Sequence, residues 1–356
     1  MKDITVGIRL LAAVFFVITF FSCANKIPQQ SNPTIVYPTP PDKARIQYLA
    51  SISTSENVVK PKSSFNKFLV GEDPPKPIKK PYGITMHGNK IYLCDLDIAG
   101  LEIMDMDQKT FEYFVPKGLG QLKLPINSFV DSLGYLYVAD SKRKQVVIYD
   151  NNLEYVNSLG GATEDKPTDV FVTSDKIWVA NVAKGAIDVY QKDSTYKHLY
   201  SIDGGISQDE KIRQPTNIYV TDNRLYVSDF GAFNIKIYDH KGKYIQKIGR
   251  YGRSIGQFVR PKGIAVDKEG ILYVVDAAFE NVQMFDKEGR LLMFFGGSYE
   301  GPGDMWLPAK VSISYTGLEY FEQYVDSHYE LQYLILVTNN FGPDKLSIYG
   351  YIKETP

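Results

Sequence analysis

Residues 215–249 read PTNIYVTDNRLYVSDFGAFNIKIYDHKGKYIQKIG. Four short runs rich in β-branched and aromatic residues (NIYV, LYVSD, NIKIYD, YIQKIG) are separated by Asp-Asn, Gly-Ala and His-Lys-Gly, which are turn chemistry. This is one four-stranded antiparallel meander, and the chain repeats it. The same skeleton begins at Pro81 (PYGI…IYLCDLDIAGLEIMD), Pro125 (PINSF…LYVADSKRKQVVIYD), Pro167 (PTDV…IWVANVAKGAIDVY) and Pro261 (PKGI…LYVVDAAFENVQMFD). A stretched copy begins at Pro308 (PAKV…LILVTNNFGPDKLSIYG). Successive repeat prolines stand 44, 42, 48, 46 and 47 residues apart. Six copies at this period predict an all-β fold, a six-bladed β-propeller. Runs such as ILYVVD and VQMFD are apolar at both parities, as expected of strands buried on both faces.

The ends of the chain fit a closed ring. ARIQYLASI (44–52) is a lone strand resembling the fourth strands EYVNSLGG, KYIQKIGR and RLLMFFGG, whereas the last repeat ends at YGYIKETP without one. Residues 45–52 are therefore expected to complete the last blade, removing the exposed edges that invite aggregation. Phe65, Phe68, Leu69 and Val70 could form a short helical turn against the first blade, and Lys76, Lys79 and Lys80 read as a solvated loop. In the last repeat, an insertion at 315–332 (YTGLEYFEQYVDSHYELQ) spaces Leu318, Phe321 and Val325 as a short amphipathic helix. It would either pack on the lower face or form an interaction patch, and packing is the simpler reading.

Of 356 residues, 44% are hydrophobic and 23% charged, and the net charge is −1. That balance gives no whole-chain attraction to nucleic acid. Lys2 and Arg9 precede an apolar run, Leu10 to Phe21, that ends in Ser22-Cys23. Twelve residues suit a signal-peptide core better than a membrane span. A small residue followed by cysteine resembles the lipobox of bacterial lipoproteins, although Phe20 stands where leucine is usual. The resemblance implies a signal peptide at 1–22 and a lipidated Cys23. Residues 23–43, rich in Pro, Gln, Asn and Ser, read as a flexible tether, and 44–356 as the propeller. Cys94, inside the strand IYLCD, would then be a buried unpaired thiol.

The pattern P-x-G-I/V, then I/L-Y-V-x-D, then an apolar strand ending in Y/F-D, then F/I-G-G resembles the NHL repeat, and the linker GQF-x-x-P at 256–261 matches as well. Together with the N-terminus, the chain is similar to bacterial NHL-repeat, six-bladed propeller lipoproteins. That resemblance implies an exported protein, lipid-anchored in the cell envelope on the outer membrane or facing the periplasm. It also implies mostly binding scaffolds and few enzymes.

Two sets of repeated polar residues are candidate sites. The second strands end on Asp95, Asp140, Asn181, Asp229, Asp276 and Asn339, which should ring the upper mouth of the central channel. Such a ring could hold a cation, or each residue could cap its own turn. Two residues beyond the repeat prolines stand Gly83, Asn127, Asp169, Asn217, Gly263 and Lys310. Lactonase-type six-bladed propellers hold calcium near such strand starts, so Asn127, Asp169 and Asn217 are an alternative Ca2+ site. They also suit a left-handed backbone. The four histidines (His87, His198, His240, His328) show no zinc-ligand spacing. The GxSxG at 252–256 lies in an inter-blade linker, without the strand–turn–helix setting of a nucleophile elbow.

Phe230, Phe233, Tyr251, Phe279, Trp306 and Phe341 fall in loops on the channel-mouth side, where they would either form a recognition surface or wedge the blades. The sequence thus points to a monomeric, non-catalytic propeller that recognises an envelope protein or glycan through its upper face, with no cofactor and no nucleic acid. The alternative is a metal-dependent hydrolase or lactonase.

Overall fold

In a computed structural model, residues 34–60 and 74–355 are described. They form six antiparallel sheets. Blade 4 shows the plan: strands Pro215–Val220, Leu225–Asp229, Asn234–Tyr238 and Tyr244–Ile248 pair in sequence order. Blades 1, 2, 3 and 5 begin at Pro81, Pro125, Pro167 and Pro261 and follow the same order. Second strands such as Leu225–Asp229 and Leu272–Asp276 are buried at every residue, whereas the fourth strand Tyr244–Ile248 alternates. The inner strands are therefore covered on both faces by neighbouring blades, and the outer strand is covered on one.

Blade 6 is closed from both ends of the chain. Its strands Pro308–Ser314, Tyr329–Asn339 and Leu346–Glu354 are joined by Ile46–Ile52, which pairs antiparallel with Leu346–Glu354 from Ile46↔Tyr351 to Ile52↔Leu346. Val36–Tyr37 adds a fifth strand outside it. A strand therefore lies inside the stretch read as tether. The Tyr37 hydroxyl donates to the Gly303 carbonyl at 2.8 Å, and Val36 and Ala44 pack on Ile352.

Every interface between adjacent blades has its own apolar cluster. Tyr92, Cys94 and Leu101 of blade 1 meet Val138 and Val147 of blade 2, and the sixth interface joins Ile348 and Leu346 to Ile84 and Leu93. Cys94 is wholly buried in the first of these, and burial raises its thiol pKa. The turn expected around Phe65 to Val70, and Cys23 with its signal peptide, lie outside the described residues.

The insertion in blade 6 is not an α-helix. It forms two 3-10 turns, Leu318–Tyr320 and Glu322–Tyr324, and the following strand starts at Tyr329. Gly317 enters with φ 72°, and too few residues remain before the strand to propagate an α-helix. Phe321 is buried with Leu49, Leu334 and Met104, so the segment packs across the seam between blades 6 and 1. Its Tyr320 hydroxyl donates to Asp107, and Thr316 Oγ1 donates to the Gly88 carbonyl at 3.1 Å.

Closure by residues 46–52 has a testable consequence. A chain shortened to begin at residue 34 should keep its melting temperature and stay monomeric. One beginning at residue 53 exposes the backbone edge of Leu346–Glu354 and should aggregate, which size-exclusion chromatography will show.

Candidate functional site

Each repeat proline lies opposite the acid or amide that ends its second strand: Pro81↔Asp95, Pro125↔Asp140, Pro167↔Asn181, Pro215↔Asp229, Pro261↔Asp276 and Pro308↔Asn339. Proline donates no ladder hydrogen bond, and the register breaks there in all six blades. The facing side chain instead accepts the amides just before the proline. Asp95 accepts Lys79 N at 2.8 Å and Lys80 N at 2.7 Å, and Asp229 accepts Arg213 N and Gln214 N, both at 2.9 Å. Asp276 accepts Val259 N and Arg260 N, and Asp140 accepts Lys123 N and Leu124 N. Asn181 and Asn339, with one acceptor oxygen each, take Lys166 N and Trp306 N. All six are buried, at 0–2% exposure. They are not an open ring of cation ligands; each ties the incoming linker to its own blade.

The third strand carries a second repeated position beside these clamps, and here the blades differ. It holds Glu102, Val147, Asp188, Lys236, Gln283 and Ser347. Lys236 Nζ donates to Asp229 at 2.7 Å, and Asn181 Nδ2 donates to Asp188 at 2.9 Å. Gln283 holds the linker into its own blade through Gly256 N and the Gln257 carbonyl, at 2.7 and 3.1 Å. Glu102 is fully buried, and neither carboxyl oxygen has a hydrogen-bond partner. Burial first, then the charge of Asp95, pushes its pKa up to about 10.

The alternative calcium residues all lie at the channel, but Asp169 is already paired with a cation. Lys310, from the opposite side of the ring, places Nζ 2.6 Å from Asp169 Oδ2. The same oxygen accepts Asn217 Nδ2 at 3.2 Å and Ile218 N at 3.0 Å. Asn127 and Asn217 each keep a buried Oδ1 without a partner. The ammonium of Lys310 thus takes the place a metal ion would need against Asp169. A lysine where other repeats have Gly, Asn or Asp was the sequence signal for this bridge. Below it, Phe129, Phe171 and Tyr219 pack tilted against one another along the first strands, with ring centroids 4.7 and 4.9 Å apart.

Among the described residues, no group of three or more His, Cys, Asp or Glu could hold a metal ion. His240 Nε2 lies 2.9 Å from the Thr221 carbonyl, and His328 lies beside Asp326. In the GxSxG segment, Ser254 N donates to Gln257 Oε1 within the linker turn.

The six upper-face aromatics divide into two groups and one single residue. Phe233 packs edge-on to Tyr251 at 4.9 Å with Phe230 beside it, and Tyr299 stacks on Trp306 at 6.1 Å. Phe341 lies beside the Trp306 backbone, with Lys80 Nζ 5.7 Å from its ring. Phe279 is half-buried in the turn after Asp276. Tyr251, Trp306 and Phe341 are 61%, 48% and 46% exposed. Phe233 adopts φ 55°, a left-handed conformation unfavourable for a bulky side chain. Sequence reading missed Lys262, one residue into the first strand of blade 5. Its Nζ lies 4.9 Å from the Tyr82 ring, and burial followed by the nearby Arg260 pulls its pKa down to about 8.

A family described as "6-bladed beta-propeller" (DUF5128) matches residues 207–296, which span blades 4 and 5. The chain is 25% identical over 175 residues to "Protein brain tumor" of Drosophila melanogaster, covering 48% of this chain and 16% of that protein. It is 36% identical over 69 residues to "B-box type zinc finger protein ncl-1" of Caenorhabditis elegans, covering 19% and 8%. The chain thus spans a sixth or less of the length of these relatives, and the NHL-type repeat is consistent with them. Among solved structures it resembles a gluconolactonase from Xanthomonas campestris (14% identity, TM-score 0.54, 90% of this chain and 97% of that one). It also resembles a streptogramin B lyase (15% identity, TM-score 0.52, 79% and 85%) and a Bacteroides thetaiotaomicron protein (13%, 0.58, 86% and 76%). At these identities the likeness is one of fold: the chain is a six-bladed β-propeller.

Glu102 gives the blade 1 site a measurable pH dependence. Its pKa is raised in the folded state, so the native protein binds the extra proton and stability falls as pH rises from about 4.5 towards 10. Replacing Glu102 by Gln should remove that slope and stabilise the protein at pH 7 by about 3 kcal/mol, read from urea unfolding at pH 5 and pH 8.

Proposed function

We propose that this protein is a non-catalytic recognition propeller that binds an envelope protein or a glycan through its upper face. The observation that carries this reading is the company kept by the exposed aromatics. Tyr251, Trp306 and Phe341 stand in solvent on the face that also carries Lys80 and Lys262, which has no ion-pair partner among the described residues. The repeated carboxylates of that face are buried on backbone amides, and Asp169 is held by Lys310. What the face offers a partner is therefore rigid aromatic area with a few cations, the composition of a recognition surface.

The N-terminal pattern Ser22-Cys23 supports an export signal and a lipid anchor, with the propeller tethered to the cell envelope as a monomer. No helix among the described residues is long and apolar enough to cross a membrane.

Photo-cross-linkable residues at Trp306 and Tyr251, compared with Leu133 on a lower hairpin, test the reading in cells. A discrete adduct from both upper positions, absent at Leu133 and weakened by Phe341→Ala, is the expected result. Adducts that form equally at Leu133, or at none of the three, would remove the upper face as the binding surface.

A further inference from the structure

An open cavity of about 760 Å³ lies on the other face, at the lower end of blades 4, 5 and 6. That volume suits a small ligand rather than a protein surface, since ligand pockets run to roughly 300–1,000 Å³. Its wall comes from the hairpin after the first strand of blade 4 (Thr221 to Arg224), the matching hairpin of blade 5 (Asp267 to Gly270), Lys287, and Ile313 and Tyr315 of blade 6.

Three observations define the chemistry of that wall. Arg224, Lys268 and Lys287 all line it, and none is ion-paired among the described residues. The Lys268 ammonium is fixed 3.9 Å from the centroid of the Tyr315 ring, whose hydroxyl accepts Lys268 N at 2.9 Å. Of the two lining carboxylates, Asp222 is exposed at the rim. Asp267 is 6% exposed, and its oxygens accept Ile271 N at 2.8 Å, Glu269 N at 2.9 Å and the Tyr333 hydroxyl at 3.0 Å. It is therefore engaged within the fold. Tyr219 and Tyr226 line it as well, mostly buried, and among the described residues neither hydroxyl is hydrogen-bonded. Cations without counter-ions, phenol rings and free hydroxyls together suit a ligand with a negative charge, several hydroxyls and an apolar face.

We propose that this lower cavity is a binding site for an anionic sugar, one or two rings in size, bearing a carboxylate or a phosphate. Arg224 and Lys268 hold the charged group, the Tyr219 and Tyr226 rings bear on the sugar face, and their hydroxyls meet its hydroxyls. Lys287 lies over Gly270 at the rim, where a Cβ would fall 2.3 Å from the lysine Cε, so that glycine gives the lysine its path across the opening. The site is independent of the upper face, and the two ligands need not be related.

Titration calorimetry on the full chain with glucuronate, glucose 6-phosphate and glucose tests the assignment. Either charged sugar, or both, should bind with an affinity that falls with added salt, while glucose is bound at least tenfold more weakly. The preference between the two charged sugars names the anion. Arg224→Gln and Lys268→Gln should each weaken binding about tenfold, the loss of one charged hydrogen bond. Trp306→Ala on the upper face should leave binding unchanged, with circular dichroism confirming that all variants fold. Glucose binding equal to that of the charged sugars, no binding of either charged sugar at millimolar concentration, or binding lost in Trp306→Ala but kept in Arg224→Gln would overturn the proposal.

Discussion

The interaction on which the rest of the structure depends is the grip of a buried Asp or Asn side chain on the amides that precede each repeat proline. Proline begins every first strand and donates nothing to the ladder. The residue across from it accepts amides just upstream, two where it is aspartate, as Asp229 does from Arg213 and Gln214, and one where it is asparagine. Those amides belong to the linker from the preceding blade. One side chain therefore satisfies buried donors and fixes where the next blade starts, with charge-assisted hydrogen bonds worth roughly 1.5–3 kcal/mol each. Six such joints, six apolar interfaces and one strand borrowed from the N-terminus make the ring.

The repeat also explains where specificity is available. Positions that build the joint are alike in all blades and carry no individual chemistry. Individuality enters one step away, at the third-strand position that holds Glu102 in blade 1 and Lys236 in blade 4, and at the first-strand position that holds Lys310. The Lys310–Asp169 pair reaches from blade 6 to blade 3 across the axis. A buried ion pair of this kind loses much of its Coulomb gain to desolvation, so its clearest effect is to fill the channel beside Asp169 and neutralise that carboxylate. Both proposed sites accordingly lie at the ends of the ring, where exposed aromatic and cationic side chains stand, such as Trp306 above and Lys268 below.

Much of this was legible before any coordinates. The proline period located the blades, and the missing fourth strand of the last repeat located the closure, because both are counts of elements that each blade must have. The acids at the second-strand ends were found, and the cap that each could give its own turn was the favoured reading, as Asp95 Oδ1 accepts Asp97 N at 2.8 Å. Their grip on the incoming linker was not legible, because the amides of Lys79 and Lys80 that Asp95 also accepts lie 16 and 15 residues upstream. The cation beside the Asn127, Asp169 and Asn217 trio was hidden for a different reason: Lys310 is 141 residues from Asp169 and meets it only because the ring closes. Val36–Tyr37 was hidden in a stretch whose prolines and polar residues mask a two-residue strand. The lower cavity had no sequence signature, since its wall is assembled from hairpins of three blades.

Amide hydrogen exchange of the residues before each repeat proline tests the joint most directly. The account predicts slow exchange at Lys80, Leu124, Lys166, Gln214 and Arg260 in the native chain. In Asp229→Ala, the amides of Arg213 and Gln214 should exchange faster by more than the loss of global stability explains, with the other blades unchanged. Fast exchange at these amides in the native chain, or an acceleration shared equally by all blades, would contradict it.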